Sequence, residues 1–459
     1  MKKFLAILLG KIIHKLTRTF KTGGGSAAPG LYALKVYPNL VEDFVKQIPK
    51  NVVITGTNGK TTTARLLDHF AKTSTLKVIR NHTGSNLERG IASALLSNSN
   101  FHPGGVRLNR ADLGIWELDE AAFNSVAPKI KPDIIVFLNV FRDQLDRYGE
   151  VDIVVKKWCE ALKKIPANTQ ILINGDDGNI VKLLDYCKGK AQKFGLQNYK
   201  IAGEHHKITA QKLDLEAVNI KQEGLSENSF QLLTSNINIQ LPTSTIHLPV
   251  PGTYHIYDFL AAFAAGFNLG CDLEKMIESL KNFSPAFGRV EKFNFNGHEA
   301  FIFLIKNPAG TSQVFSTIAG ALKKNDRLLL ALNDNLADGT DISWIWDVDF
   351  EQINQSASLR KHEVSKQSNL ERLPRRYAPR NDVRIICSGT RAQDLAVRLK
   401  YAGFDPSCIS VENNLKKALE QAKTGLGGRL FVLPTYTALL GLQKILTNLG
   451  VKRHYWQEE

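Results

Sequence analysis

The stretch that decides the fold is an apolar run that leads through a glycine-bracketed turn into a Lys-Thr pair, Val52-Val53-Ile54-Thr55-Gly56-Thr57-Asn58-Gly59-Lys60-Thr61-Thr62-Thr63. The apolar run predicts a buried strand, and the residues from Lys60 to Lys72 predict a helix. Glycines in the turn allow backbone N–H groups to point at phosphate oxygens, and the helix dipole favours the anion. The Lys60 ammonium can reach the β- and γ-phosphates of a nucleotide, and the Thr61 hydroxyl can bind Mg²⁺.

The spacing of this turn is G-x-x-G-K-[ST], two residues shorter than that of the general phosphate-binding loop. Short glycine patterns also occur in turns with a purely structural role. The strand before the turn and the helix after it favour nucleotide binding here. The predicted nucleotide contacts are Gly56, Thr57, Asn58, Gly59, Lys60, Thr61 and Thr62.

Short apolar runs alternate with helical stretches after Asn51, which is typical of a parallel sheet covered by helices. Such runs occur at residues 134–138, 171–173, 301–304, 328–332, 383–386 and 430–433. Residues 196–250 instead alternate apolar and polar positions, which predicts an antiparallel appendage. We therefore expect an α/β protein with an amino-terminal helix and Gly-rich loop (1–50), a central nucleotide-binding domain (51–295) and a smaller carboxy-terminal α/β domain (296–459).

The 459 residues carry a formal net charge of +15. Residues 352–381 are polar, basic and without periodicity, so they predict a surface insertion. Basic residues are not interleaved with aromatic ones, and nucleic acid is therefore the weaker interpretation of the charge. The five cysteines lie far apart without a CxxC pair, which argues against a disulfide framework and a zinc ribbon and fits buried thiols in the cytosol.

The amino-terminal residues predict a basic amphipathic helix. Apolar residues recur at helical spacing between lysines, at Leu5, Leu8, Leu9, Ile12, Ile13 and Leu16. The run is too short for a membrane span, and no convincing signal-peptide cleavage site follows it. Packing on its own domain is one interpretation of this helix, and contact with a membrane surface is the other.

The turn at residues 56–63 resembles the ATP loop of the Mur ligases and folylpolyglutamate synthases. Further groups resemble the MurT branch of the Mur ligases and follow its order along the chain: Phe141–Glu150, Phe287–Glu291, Lys306–Gly310, Asn333–Gly339, Ser343–Asp347 and Pro434–Ala438. The last four lie in a carboxy-terminal domain that other Mur ligases lack. The resemblance covers almost the whole chain and implies a Mur ligase central domain with a parallel sheet.

The resemblance also implies roles for single residues. Glu117 matches the family carboxylate that binds Mg²⁺ together with Thr61, although Glu117 and the nearby Asp119 and Glu120 have the alternative of being solvated charges at a helix start. His255 and Asp258 occupy the adenine-contacting segment, with helix capping as the equal alternative for Asp258.

Arg289 matches a family arginine near the ATP phosphates, with a surface ion pair to Glu291 as the alternative. Many MurT proteins carry a four-cysteine zinc ribbon in the middle domain. This chain lacks the CxxC pairs for one, so we expect ATP and Mg²⁺ but no zinc.

The activity that the resemblance implies is ATP-dependent amidation, through an acyl phosphate, of the D-glutamate α-carboxylate in the stem peptide of lipid II. Ammonia would come from a separate, GatD-like glutaminase subunit in a heterodimer, because Cys387 lacks the surroundings of a catalytic elbow. Asp347, with Asp349 as the second choice, would orient the partner's catalytic histidine, unless it caps a helix or pairs locally. A cytoplasmic site at the inner membrane face would follow. The rival activity is an amino-acid ligase like other Mur ligases or folylpolyglutamate synthase.

Overall fold

The computed structural model describes residues 2–19, 27–81, 85–102, 105–143, 150–197, 212–235, 244–285, 289–353 and 383–451. The predicted α/β fold class is confirmed, since two mostly parallel sheets follow one another along the chain. Each apolar run that predicted a strand forms one. The predicted basic insertion lies outside the described residues from 354 onward.

Eleven strands precede the second sheet in the described ranges. They are β1 Lys50–Thr55, β2 Val78–Arg80, β3 Ser99–His102, β4 Gly105–Leu108, β5 Leu113–Leu118, β6 Ile134–Phe137, β7 Gln170–Asn174, β8 Ala191–Leu196, β9 Leu215–Glu223, β10 Glu227–Thr234 and β11 Ile246–Leu248. β3 and β4 form a separate hairpin, and the other nine form one sheet in the order β11-β10-β9-β8-β7-β6-β1-β5-β2. Every neighbouring pair from β2 through β5, β1, β6, β7 and β8 to β9 is parallel. β10 is antiparallel to both of its neighbours. The antiparallel strands thus extend the large sheet instead of forming a separate appendage.

The helices of this part of the chain are α1 Lys2–Thr19, α2 Ala28–Val36, α3 Leu40–Val45, α4 Lys60–Thr73, α5 Glu88–Ser97, α6 Glu120–Ile130, α7 Val151–Leu162, α8 Gly178–Val181, α9 Tyr254–Asn268 and α10 Leu273–Ser279, with 3₁₀ turns at Lys182–Tyr186 and Leu280–Asn282. α4, α9 and α10 cover one face of the sheet, and α3, α5, α6 and α7 cover the other. Along β1, Val52 and Ile54 enter the first core and Val53 enters the second. This burial on both faces explains why the strand sequence is continuously apolar.

The amino-terminal helices belong to the same core as the sheet. Ala6 and Ile7 of α1 are fully buried and belong to the core cluster on the α3, α5, α6 and α7 face of the sheet, where α1 packs against α2 and α5. Gly10 and Gly30 allow close helix crossings, because an added Cβ would lie 2.6 Å from a Leu96 methyl and 2.0 Å from the Arg89 carbonyl oxygen, respectively. Within the described ranges, no helix is both long and apolar enough to cross a bilayer.

The second sheet has six strands, β12 Arg289–Phe295, β13 His298–Phe303, β14 Arg327–Ala331, β15 Arg384–Ser388, β16 Ile409–Val411 and β17 Leu430–Pro434, in the order β12-β13-β17-β14-β15-β16. Its helices are α11 Pro308–Ala319, α12 Ala392–Tyr401, α13 Leu415–Lys423 and α14 Tyr436–Asn448, with 3₁₀ turns at Ser343–Asp347 and Pro406–Cys408. β12 is antiparallel to β13 and the other pairs are parallel. Because β12 belongs here, this sheet begins before the expected boundary at 296.

Candidate functional site

The predicted phosphate loop connects the carboxyl end of β1 to the start of α4, at the edge where open α/β sheets bind ligands. Gly56 and Gly59 have φ values of +143° and +89°, which only glycine adopts readily. A Cβ at Gly59 would lie 2.1 Å from Oδ1 of Asp258, so the turn also needs glycine for space. Thr62, in the first turn of α4, is fully buried.

Asparagine side chains hold this turn from both sides. The Asn58 N–H donates to Oδ1 of Asn139 at 2.8 Å, and the Asn139 amide donates back to the Asn58 carbonyl at 3.1 Å. On the other side, the side-chain amides of Asn58 and Asn307 donate to each other's oxygens at 3.2 and 3.0 Å. Asn139 follows β6 and Asn307 caps α11, so the turn is fixed by both domains.

Lys60 is 8% exposed, and its ammonium donates to the carbonyl oxygens of Gly56 and Thr57. Oε2 of Glu120 lies 3.6 Å from it. Burial lowers the pKa of Lys60, while Glu120 opposes that shift. Burial also opposes ionisation of Glu120, but Lys60 and Lys306 hold the pKa of Glu120 below its ordinary value. Glu120 is therefore a buried counter-ion of the loop lysine, and the alternative of a solvated helix-start charge is wrong.

The predicted magnesium pair comes together. The Thr61 hydroxyl donates to Oε2 of Glu117 at 2.8 Å, and Glu117 is 6% exposed at the end of β5. Asn81 holds the Glu117 backbone through both its N–H and its carbonyl, each at 2.9 Å. A hydroxyl beside a carboxylate suits a hard cation such as Mg²⁺. In the described part of the chain, no group of three or more His, Cys, Asp or Glu side chains is arranged to hold a metal ion.

His255 and Asp258 lie inside α9 and are 1% and 3% exposed. Nδ1 of His255 lies 3.0 Å from Asp258 Oδ2, and Asp258 Oδ1 also accepts from the Thr63 hydroxyl at 3.4 Å. Asp258 is the fifth residue of the helix, so helix capping is not its role. Its carboxylate orients His255 and supports the phosphate loop, and the buried Nε2 of His255 has no partner among the described residues.

A cleft opens beside these groups. Its walls come from the phosphate loop, α9, β13 and α11, so both domains contribute. The residues that line it include Asn58, Gly59, Tyr254, His255, Phe303, Lys306 and Gly310. Apolar and aromatic walls with a few convergent polar groups are typical of a nucleotide-binding cleft.

Lys306 reaches the phosphate loop from the second domain. Its ammonium donates to the Thr57 carbonyl at 3.1 Å and to Oδ2 of Asp143 at 2.8 Å. Asp143 is 7% exposed, and its Oδ1 has no partner within the described ranges. The resemblance had pointed to the motifs that contain Lys306 and Asp143, but no role had been predicted for either. A cation beside a phosphate loop can stabilise negative charge on a phosphoryl group.

Asp347 ends a 3₁₀ turn and is half exposed, and its Oδ2 accepts from Arg142 Nη1 at 2.6 Å. An ion pair within the chain, one of the two alternatives for Asp347, is thus present, although Arg142 lies in the other domain. The Asp347 carboxylate remains accessible. Asp349 is more enclosed, and burial raises its pKa. Its backbone N–H donates to Ser312 Oγ at 3.0 Å. Asp347 is therefore the better placed of the two to meet another protein.

Two remaining predictions concern Arg289 and Cys387. Arg289 opens β12 opposite Phe303, but its side chain lies outside what the structure describes. The alternative partner, Glu291, accepts from Gln443 Nε2 at 3.2 Å. Cys387 is fully buried in β15, and burial raises its pKa to about 12. A thiol so strongly held in its protonated form is not a glutaminase nucleophile.

Comparisons with known proteins identify similar domains and chains. The family model of the Mur ligase middle domain matches residues 54–266, and that of the MurT ligase C-terminal matches residues 304–370 and 367–439. The chain is 29% identical to the lipid II isoglutaminyl synthase (glutamine-hydrolyzing) subunit MurT of Staphylococcus aureus, over 96% of each chain. It is 29% identical to the subunit of the same name from Streptococcus pneumoniae, over 99% of each.

A solved structure supports the fold. The MurF ligase from Thermotoga maritima in complex with ADP superposes with a TM-score of 0.63 at 13% identity, covering 93% of this chain and 85% of that one. The two family models cover the phosphate-loop domain and the domain that contributes Lys306 and Asp347. The chain is thus similar to MurT subunits over nearly its full length, and it contains a region that matches the Mur ligase middle domain followed by one that matches the MurT ligase C-terminal.

Proposed function

We propose that this chain is the synthetase subunit of a lipid II isoglutaminyl synthase, which converts the D-glutamate α-carboxylate of the lipid II stem peptide to the amide. It acts in peptidoglycan synthesis, in the cytoplasm at the inner membrane face, and receives ammonia from a GatD-like glutaminase in a heterodimer. One observation carries the proposal: a phosphate loop with buried Lys60 is completed by Lys306 and Asn307 of the MurT-type domain.

The chemistry begins with a carboxylate, whose charge makes it a poor electrophile. A carboxylate oxygen attacks the γ-phosphorus of ATP, ADP leaves, and an acyl phosphate forms. Ammonia then attacks the acyl carbon, phosphate leaves, and the nitrogen loses a proton to give the amide. Mg²⁺, when bound, would supply positive charge that stabilises the phosphates in this step.

The residues of this chain supply position and charge in the first step. Thr61 and Glu117 would hold the metal ion, and the loop N–H groups would bind the phosphates. Lys60 and Lys306 both donate to the Thr57 carbonyl oxygen, each at 3.1 Å. Two cations that converge on the transferring group would stabilise negative charge as it moves to ADP.

Replacing Lys306 with glutamine should lower kcat for ammonia-driven amidation about a hundredfold and change the KM for ATP little, because the charge matters most in the transition state. Steady-state kinetics with ammonium as nitrogen source measures both. Lys292→Gln is the matched control, since Lys292 is also a lysine of the second domain, ion-paired to Glu299 at the surface. An unchanged kcat in Lys306→Gln would remove Lys306 from the reaction.

Replacing His255 with phenylalanine should raise the KM for ATP about tenfold with little change in kcat, because the adenine loses its hydrogen bond to Nε2. His255→Gln, which keeps a hydrogen-bonding group, should retain more of the affinity. Thermal unfolding of both variants checks that the buried Asp258, which loses its His255 contact, has not weakened the fold. An unaltered KM in the phenylalanine variant would place the base elsewhere.

The defining experiment mixes the chain with its glutaminase partner, glutamine, ATP and lipid II, and follows conversion of the carboxylate to the carboxamide by mass spectrometry. Supplying amino acids instead of glutamine tests the amino-acid ligase alternative. Ligation of an amino acid without amidation would establish that rival. Amidation that persists in Lys60→Ala would instead favour a non-catalytic role for the chain, as a nucleotide-gated scaffold for the glutaminase.

A further inference from the structure

The amino-terminal helix α1 has two apolar faces, of which the core covers only one. Ala6, Ile7 and Gly10 are buried against α2 and α5. A second set of large apolar side chains is 38–54% exposed, namely Phe4, Leu5, Leu8, Ile12 and Leu16. Their spacing places them on one stripe of the helix about 18 Å long.

The β3–β4 hairpin extends this stripe. Phe101 of β3 is 43% exposed, and its ring centroid lies 5.2 Å from that of Phe4. The Lys11 ammonium is 5.7 Å from the Phe101 centroid. We call the five exposed α1 side chains and Phe101 the α1 apolar face. Exposed apolar side chains grouped on one helix and its neighbour mark an interaction surface more strongly than scattered ones do.

Positive charge borders the α1 apolar face. α1 contains no acidic residue, and it carries Lys2, Lys3, Lys11, Lys15 and Arg18. Of these, Lys3 pairs with Asp43, while helical periodicity puts Lys11 and Lys15 along one edge of the apolar stripe. An apolar stripe edged by lysines is the pattern of a helix that lies in the interface of an anionic bilayer.

We propose that the α1 apolar face docks the protein on a surface of anionic phospholipid. A second copy of the chain fits less well, because pairing this face with itself would bring its bordering lysines together without acidic residues of α1 to oppose them. The preference for a bilayer over a protein partner also rests on the proposed function, whose substrate is lipid-linked. Docking would keep the enzyme in the same plane as that substrate.

Flotation of the full chain with vesicles tests this, without lipid II present. We expect binding to vesicles that contain phosphatidylglycerol, and at least about tenfold weaker binding to vesicles of phosphatidylcholine alone. The double variant Leu8→Gln/Ile12→Gln should lose at least about tenfold of the binding, because two side chains no longer enter the apolar layer. Leu233→Gln is the control: Leu233 is a leucine of β10 that is 49% exposed, and its replacement should leave binding unchanged.

Three results would overturn the proposal: no flotation of the wild type with anionic vesicles, equal flotation of the double variant, or a wild-type dimer in solution that the double variant abolishes. Amidation of a water-soluble stem peptide separates this question from the proposed function. Wild type and double variant should amidate that peptide equally. If neither does so while vesicle binding follows the pattern above, the proposed function fails and the docking surface stands.

Discussion

Replacing Lys60 with methionine is expected to lower ATP-dependent amidation at least about a thousandfold, with either glutamine or ammonium as nitrogen source. The ammonium is the buried cation of the phosphate loop, within hydrogen-bonding distance of the Thr57 carbonyl. Methionine has a similar length but no charge, so the loop would lose the group that follows the phosphoryl oxygens. Product formation measured by mass spectrometry gives the rate.

The same change should also destabilise the protein. Glu120 is only 5% exposed, and its carboxylate would lose the ammonium of its ion pair. Loss of one partner of a buried pair costs about 3 kcal/mol or more, measured as the free energy of unfolding in urea. The double variant Lys60→Met/Glu120→Gln should recover most of that stability but none of the activity. If activity returned with stability, Lys60 would be a structural residue and the proposed chemistry would fail.

The second large effect concerns the supply of ammonia. Asp347→Asn should reduce glutamine-driven amidation at least about a hundredfold, while ammonium-driven amidation stays near the wild-type rate. In the complex that we propose, the Asp347 carboxylate orients a histidine of the glutaminase. Asparagine keeps the shape of the side chain but lacks the negative charge for that role. Initial rates with each nitrogen source, at saturating partner, measure the difference.

Asp347 also pairs with Arg142 at 2.6 Å, so its replacement alone confounds two roles. Arg142→Gln removes the same ion pair and leaves the carboxylate in place, and both activities should survive because an exposed pair contributes little. Asp349→Asn tests the second candidate. Equal loss of both activities in Asp347→Asn, or loss in Arg142→Gln as large as in Asp347→Asn, would assign the effect to the ion pair.

Local patterns were sufficient for the strand, turn and helix around Gly56–Thr63 and for the positions of the parallel strands along the chain, since burial on both faces demands continuous apolar runs. The Thr61–Glu117 pair was predicted from the family resemblance, and the structure places the two residues near the ends of neighbouring strands β1 and β5. The antiparallel strands were predicted in type, but their place in the large sheet depends on pairing that the alternation of residues does not encode.

Contacts between distant parts of the chain were not predictable in the same way. Asn307 and Lys306 meet the turn across 249 residues of sequence, and Asn139 meets it across 81. Nothing local distinguishes these side chains from other polar residues that follow a strand. Glu120 follows Asp119 at the start of α6, where a solvated acid is the usual finding, and only the fold reveals its burial beside Lys60.

The reciprocal amides of Asn58 and Asn307 make the shape of the nucleotide turn a property of two domains at once. While the two sheets stay packed together, these hydrogen bonds hold the turn in one conformation before a ligand binds. The entropy cost of ordering the turn is therefore met during folding. Separation of the two sheets would break these hydrogen bonds and thereby weaken the binding of ADP. Release of ADP would then require no additional conformational change in the turn.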